Sequence, residues 1–94
     1  MKMLMMIVES AYKEQLEVLL NEHEIVGYTE IPQVFGSGST GTRMGSRAFP
    51  KTSSVIFTIL GNEEADKLAA SIKQYCEACA QHMHMIVWQA EKVF

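Results

Sequence analysis

The sequence predicts an α+β domain with the element order β-α-β-β-α-β, and three observations predict it. Two stretches carry apolar residues at helical spacing, each lies between short apolar runs, and one long glycine-rich segment, 36–50, separates the two middle runs. At 94 residues and 48% hydrophobic content the chain suits one domain spanning 1–94, whose small core gains from association.

Lys2–Val8 is a nearly continuous apolar run and reads as a buried strand, after which Ser10 offers an N-cap oxygen. From Tyr12, the residues Leu16, Leu19, Leu20 and His23 recur at helical spacing, with Lys13, Glu14, Glu17 and Glu22 outside the stripe. Gly27 marks the exit, and Tyr28, Ile31, Val34 and Phe35 form a second strand that Pro32 confines to an edge or a bulge. Gly36–Pro50 holds four of the six glycines together with Ser37, Ser39, Thr40, Thr42 and Ser46, a composition expected to form a loop without regular structure. Ser53–Leu60 resumes as a strand, and Gly61-Asn62 turns into a helix with Glu63 and Glu64 set against its dipole. Ala65, Leu68, Ala69, Ile72, Cys76 and Cys79 trace one face of that helix, and a final strand covers roughly 82–90. This is the ferredoxin-like order, a four-stranded antiparallel sheet with two helices on one face. Both faces of the first strand are apolar, Met3/Met5/Ile7 and Leu4/Met6/Val8, and two helices cover only one, so the other is expected to meet further copies of the chain.

No apolar run reaches membrane-span length, and Met1–Val8 is too short for a secretory signal, so a cytoplasmic location is expected. Two cysteines three apart on a helical face suit a reducing compartment. A net charge of -3 gives no reason to expect a nucleic-acid partner. The local distribution is more informative: no acidic residue lies between Glu30 and Glu63, while Arg43, Arg47 and Lys51 fall inside that gap.

The string Gly36-Ser37-Gly38-Ser39-Thr40-Gly41 matches the dinucleotide fingerprint in letters but not in context, because more loop, a proline and a strand follow where a helix N-terminus is required. A general anion site fits better. Glycines let backbone N–H groups turn toward a ligand, hydroxyls add donors, and Arg43, Arg47 and Lys51 supply charge. The competing reading is a mobile loop whose arginines are solvated or meet a protein partner. A second cluster, Cys76-x-x-Cys79-x-x-His82-x-His84, gathers thiols and imidazoles suited to Zn or Cu, against the plainer reading of two core cysteines and two packed histidines sharing a strand face with Ile86 and Trp88. The methionines read as core filler, Trp88 as a packing anchor and His23 as a helix C-terminal residue. Glu9 and Glu30 look isolated and no nucleophile stands beside a base, so the chain is expected not to be an enzyme.

Gly27-Tyr28-Thr29-Glu30, the strand ending Phe35-Gly36, the long segment after it and Phe49-Pro50-Lys51 together resemble PII signalling proteins, the nitrogen regulatory protein P-II superfamily. The run Gly36-Ser37-Gly38, Gly41-x-Arg43, Arg47 is similar to the shorter-loop PII-like branch, which includes bicarbonate-transport and carboxysome-associated members. The resemblance implies a homotrimer packed sheet against sheet, an adenine nucleotide in the cleft between subunits, and a loop, 36–50, that docks on a membrane transporter or enzyme. It implies Thr29, Gly36, Ser37, Gly38, Gly41, Arg43, Arg47 and Lys51 as ligand-binding residues. The main branch grips phosphates with a lysine- and glycine-rich loop before the last strand; here residues 79–84 hold neither, and the downstream arginines of that branch have no counterpart before Phe94. AMP, ADP or no nucleotide is therefore expected rather than ATP held in that manner, with no obligatory cofactor. No tyrosine lies between Tyr28 and Tyr75 to match the uridylylated one. Some PII-like proteins accompany metal-efflux systems, and the alternative is a Zn or Cu module using His82 and His84, with or without Cys76 and Cys79.

Overall fold

The computed structural model describes residues 1–38, 41–75 and 81–94. In chain order these form β1 (Lys2–Glu9), a 3-10 turn (Ser10–Tyr12), α1 (Lys13–Glu22), β2 (Tyr28–Val34), β3 (Gly36–Gly38), β4 (Gly41–Arg43), β5 (Ser53–Leu60), α2 (Asn62–Tyr75) and β6 (Met83–Gln89). The main sheet has strand order β2-β5-β1-β6 with every neighbouring pair antiparallel, as the ferredoxin-like order requires.

Side-chain alternation divides β1 between two environments. Leu4, Met6 and Val8 are fully enclosed with Ile56 of β5, beneath Leu16, Leu19 and Leu20 of α1 and Ala65, Leu68 and Ile72 of α2. His23, at the end of α1, joins the two helices through Nε2 and the Ser71 hydroxyl at 2.7 Å. On the opposite face Met3 lies between Ile59 and Trp88, Met5 between Phe57 and Ile86, and Ile7 between Val55 and His84. No described element of this chain covers them: Ile59, Ile86 and Trp88 are each more than two-fifths exposed. The apolar second face expected from the sequence is present and open.

Pro32 sits where its missing N–H predicts, in an edge strand at an irregularity: the β2–β5 register shifts between Ile31 and Val34, and Gln33 adopts φ 54°. Two expectations are corrected. Ser10 does not cap α1, because the chain first makes the 3-10 turn; its hydroxyl instead accepts from Thr52 Oγ1 at 2.9 Å and lies 3.3 Å from Ser54 Oγ, while its N–H donates to the Thr52 carbonyl at 3.0 Å. Nor is 36–50 without regular structure. Gly36, Ser37 and Gly38 pair with Arg43, Thr42 and Gly41 as a hairpin, helped by the Ser37 and Thr42 hydroxyls 3.2 Å apart and by Gly41 at φ 118°. The backbone beyond it folds back on itself through Met44 N–H and Ser46 N–H, both to the Phe49 carbonyl, and Gly45 N–H to that of Lys51. Gly45, at φ 62°, leaves 3.1 Å between a would-be Cβ and both the Phe35 ring and Thr52, so a side chain there would strain the backbone and crowd the hairpin base.

Candidate anion site beside the hairpin

Glu9 continues the open-face parity of Met3, Met5 and Ile7 at the last position of β1, yet it is only 5% exposed, with Arg43, Lys51 and His82 set against it. A carboxylate so enclosed requires cationic partners, and the fold brings three basic side chains from distant points of the chain. Lys51 Nζ lies 3.3 Å from Oε1, Arg43 Nη2 3.4 Å from Oε2, and His82 Nδ1 2.9 Å from Oε2. The His82 approach is close without being an aligned hydrogen bond. Its ring is fixed by stacking on Tyr12, with centroids 4.2 Å apart and planes 6° from parallel. Arg43, itself 9% exposed, also donates from Nη1 to the Gly41 carbonyl at 3.2 Å, which ties the guanidinium to its own hairpin. Burial acts to raise the Glu9 pKa, but the hydrogen-bonding and charge of Lys51 and Arg43 outweigh it, so the carboxyl lies below its ordinary value.

A cavity of about 670 Å³ opens beside this cluster, bordered by Glu9, Arg43, Gly36–Gly38 and residues 81–84, with Ile7 and Val55 on its apolar side. The sequence-predicted residues divide around it. Gly36, Ser37, Gly38, Arg43, His82 and His84 line it, and Lys51 adjoins it through Glu9. Gly41 lies at the hairpin turn and Arg47 is exposed in the segment beyond, neither on the cavity wall. Thr29 borders a separate depression of about 400 Å³ with Met3 and Phe57.

The metal candidates separate too. His84 stands on the open face opposite Ile7, as its strand parity predicts, whereas His82 belongs to a helical turn ahead of β6 and turns to Glu9 and Tyr12 instead of joining Ile86 and Trp88. Cys76 and Cys79 lie outside the described residues, and among the described residues no group of three His, Cys, Asp or Glu side chains could hold a metal ion. Reading Glu9 and Glu30 as isolated is corrected: Glu9 is the hub, and Glu30 pairs with Lys13 at 3.5 Å. The available signal was the positive island itself, whose lack of local acids implied a counter-ion from elsewhere in the chain.

The sequence profile described as "Nitrogen regulatory protein P-II" matches residues 1–93. The chain belongs to the P-II family. Among solved structures, this P-II protein is similar to CPII, a nitrogen regulatory PII-like protein from Thiomonas intermedia K12 bound to ADP, AMP and bicarbonate, at 25% identity and a TM-score of 0.70 over 97% of this chain and 88% of that one. CPII bound to ADP and bicarbonate matches at 26% identity, with the same TM-score and coverage. A putative PII-like signalling protein from Thermus thermophilus shares the fold at 17% identity and a TM-score of 0.65, over 93% of this chain and 81% of that one. No curated protein sequence matches at a significant level. Among the described residues of this P-II protein, no helix is long and apolar enough to cross a membrane.

Proposed function

We propose that the protein is a PII-like signalling regulator, acting by binding rather than catalysis, that senses an adenine nucleotide, ADP or AMP, in the cavity beside the 36–43 hairpin. The observation that carries this reading is the convergence of Arg43 and the exposed backbone of Gly36–Gly38 on one cavity, with Lys51 set beside it on Glu9. That combination of a guanidinium, an ammonium and glycine backbone suits a phosphate group. The adenine nucleotides and bicarbonate bound by CPII at about a quarter identity support the same ligand class. The open face of Met3, Met5, Ile7, Phe57, Ile86 and Trp88 supports assembly with further copies, which we take as the family's homotrimer, with the cavity at the cleft between subunits. Ligand contact with Arg43 and Gly36–Gly38 would then reposition the 36–50 arm and alter its docking on a transporter or enzyme in the cytoplasm.

Calorimetric titration of the metal-free protein with AMP, ADP and ATP, with and without bicarbonate, tests this. Saturable ADP binding that Arg43→Ala weakens at least roughly tenfold, the loss of one good charge-assisted contact, is the expected result. Absence of binding by every adenine nucleotide would overturn it, and a larger effect from Arg47→Ala would move the phosphate contact away from the hairpin.

A further inference from the structure

Arg43 borders the cavity and Lys51 adjoins it through Glu9. They already hold an anion, the Glu9 carboxylate, which borders the same space. We propose that Glu9 is a built-in competitor for the anion site, occupying on Arg43 and Lys51 the place that a ligand's charged group takes, so that ligand binding proceeds by displacing it. The inference rests on the anion-binding reading of the cavity and adds what opposes that binding.

Three features of the cluster support displacement over a permanent structural clasp. Its cationic contacts, 3.3 Å to Lys51 and 3.4 Å to Arg43, are longer than the roughly 2.7–2.9 Å of a tight charge-assisted hydrogen bond. Glu9 Oε2 and His82 Nδ1, buried and 2.9 Å apart, both lack an aligned hydrogen-bond partner, so the carboxylate is enclosed without being well satisfied. Lys51 is 61% exposed at its side chain and can swing to a ligand without unpacking anything, and Arg43 is carried on a two-stranded hairpin outside the main sheet.

The charge balance then makes Glu9 a selectivity device. Arg43, Lys51 and the Glu9 carboxylate together carry one net positive charge, so a ligand must bring enough negative charge to outbid Glu9. A diphosphate does this better than a monophosphate, and an uncharged nucleoside does not do it at all.

The test compares the wild type with Glu9→Gln, an isosteric change that keeps the side chain's shape and removes its charge. ADP, AMP and adenosine are titrated at fixed ionic strength. Glu9→Gln is expected to tighten ADP roughly tenfold, the scale of one displaced ion pair, to tighten AMP less, and to leave adenosine unchanged. Equal or weaker ADP binding by the variant would overturn the proposal, and so would an equal gain for adenosine, which would mark a general structural effect. If the wild type binds no nucleotide, the nucleotide reading fails on its own, and inorganic pyrophosphate then becomes the probe. Tighter pyrophosphate binding by Glu9→Gln upholds the competitor, and no difference overturns it. Should Glu9→Gln fold poorly, Glu9→Asp, which draws the charge back by one methylene, is expected to change the same affinities in the same direction by a smaller factor.

Discussion

β1 is one strand with two histories. Its even positions, Leu4, Met6 and Val8, are sealed beneath both helices, while Met3, Met5 and Ile7, no less apolar, face outward with Phe57, Ile86 and Trp88 around them. At Glu9 the outward row changes chemistry, from hydrocarbon to a carboxylate set among basic side chains. The first row holds the chain's own core together, the second is left open for the assembly we propose, and the polar end of that second row borders the candidate site. Nearly identical residue types are thus sealed or left open according to which side of the sheet the helices occupy.

The largest effect should come from the sealed row. Leu4→Ala removes a fully buried side chain from under α1 and α2 and is expected to cost about 2–5 kcal/mol in chemical denaturation at fixed protein concentration. A loss below about 1 kcal/mol would mean that the helix-facing core repacks freely and that the contrast between the two rows is shallow. Met5→Lys tests the outward row, between Phe57 and Ile86. Its expected effect is on association: light scattering should report a shift to single chains while circular dichroism keeps the secondary structure, since the lysine stem can lie along the sheet with its ammonium in water. A variant that stays assembled would break the assignment of this face to self-association.

The same contrast explains how much could be read from the sequence. Ser53–Leu60, β1 and α2 were legible because burial on one or both faces imposes a period on the residues themselves, and Pro32 announced the irregular edge through its missing N–H. The hairpin was not legible, since Gly36, Gly38 and Gly41 carry no periodic signal and pair through backbone alone. The cavity lining was half legible. Gly36–Gly38 and Arg43 stood out by composition, whereas Glu9 gained its meaning only when folding brought residues 43, 51 and 82 against position 9. His82 was misplaced for a related reason: strand parity says nothing about a residue that leaves the strand to stack on Tyr12.

The Glu9 cluster should rank below the sealed row in stability. Glu9→Gln removes a carboxylate that faces the enclosed Arg43 and is expected to cost roughly 1–3 kcal/mol, short of a fully enclosed broken pair because Lys51 remains largely in water. Weakening the unliganded state in this way is also what should tighten anion binding. The pH dependence has a definite sign. The folded carboxyl sits below its ordinary value near 4.5, so its contribution is complete above that value and disappears as pH falls through the lower folded one. Denaturation midpoints of the wild type and Glu9→Gln should therefore differ at neutral pH and converge on acidification. A gap that widens in acid would contradict the ion-pair assignment.

The smallest effect is expected where the geometry looks best. Lys2 Nζ and Asp66 Oδ1 are 2.8 Å apart, closer than Arg43 or Lys51 stands to Glu9. The Asp66 side chain, however, is 70% exposed against 5% for Glu9, so water and salt already satisfy both of its states. Asp66→Asn should change the denaturation midpoint by the equivalent of about 0.5 kcal/mol or less. If it instead matches Glu9→Gln, separation rather than enclosure governs these pairs, and the long contacts at Glu9 lose their claim to set the polar end of β1 apart from an ordinary surface ion pair.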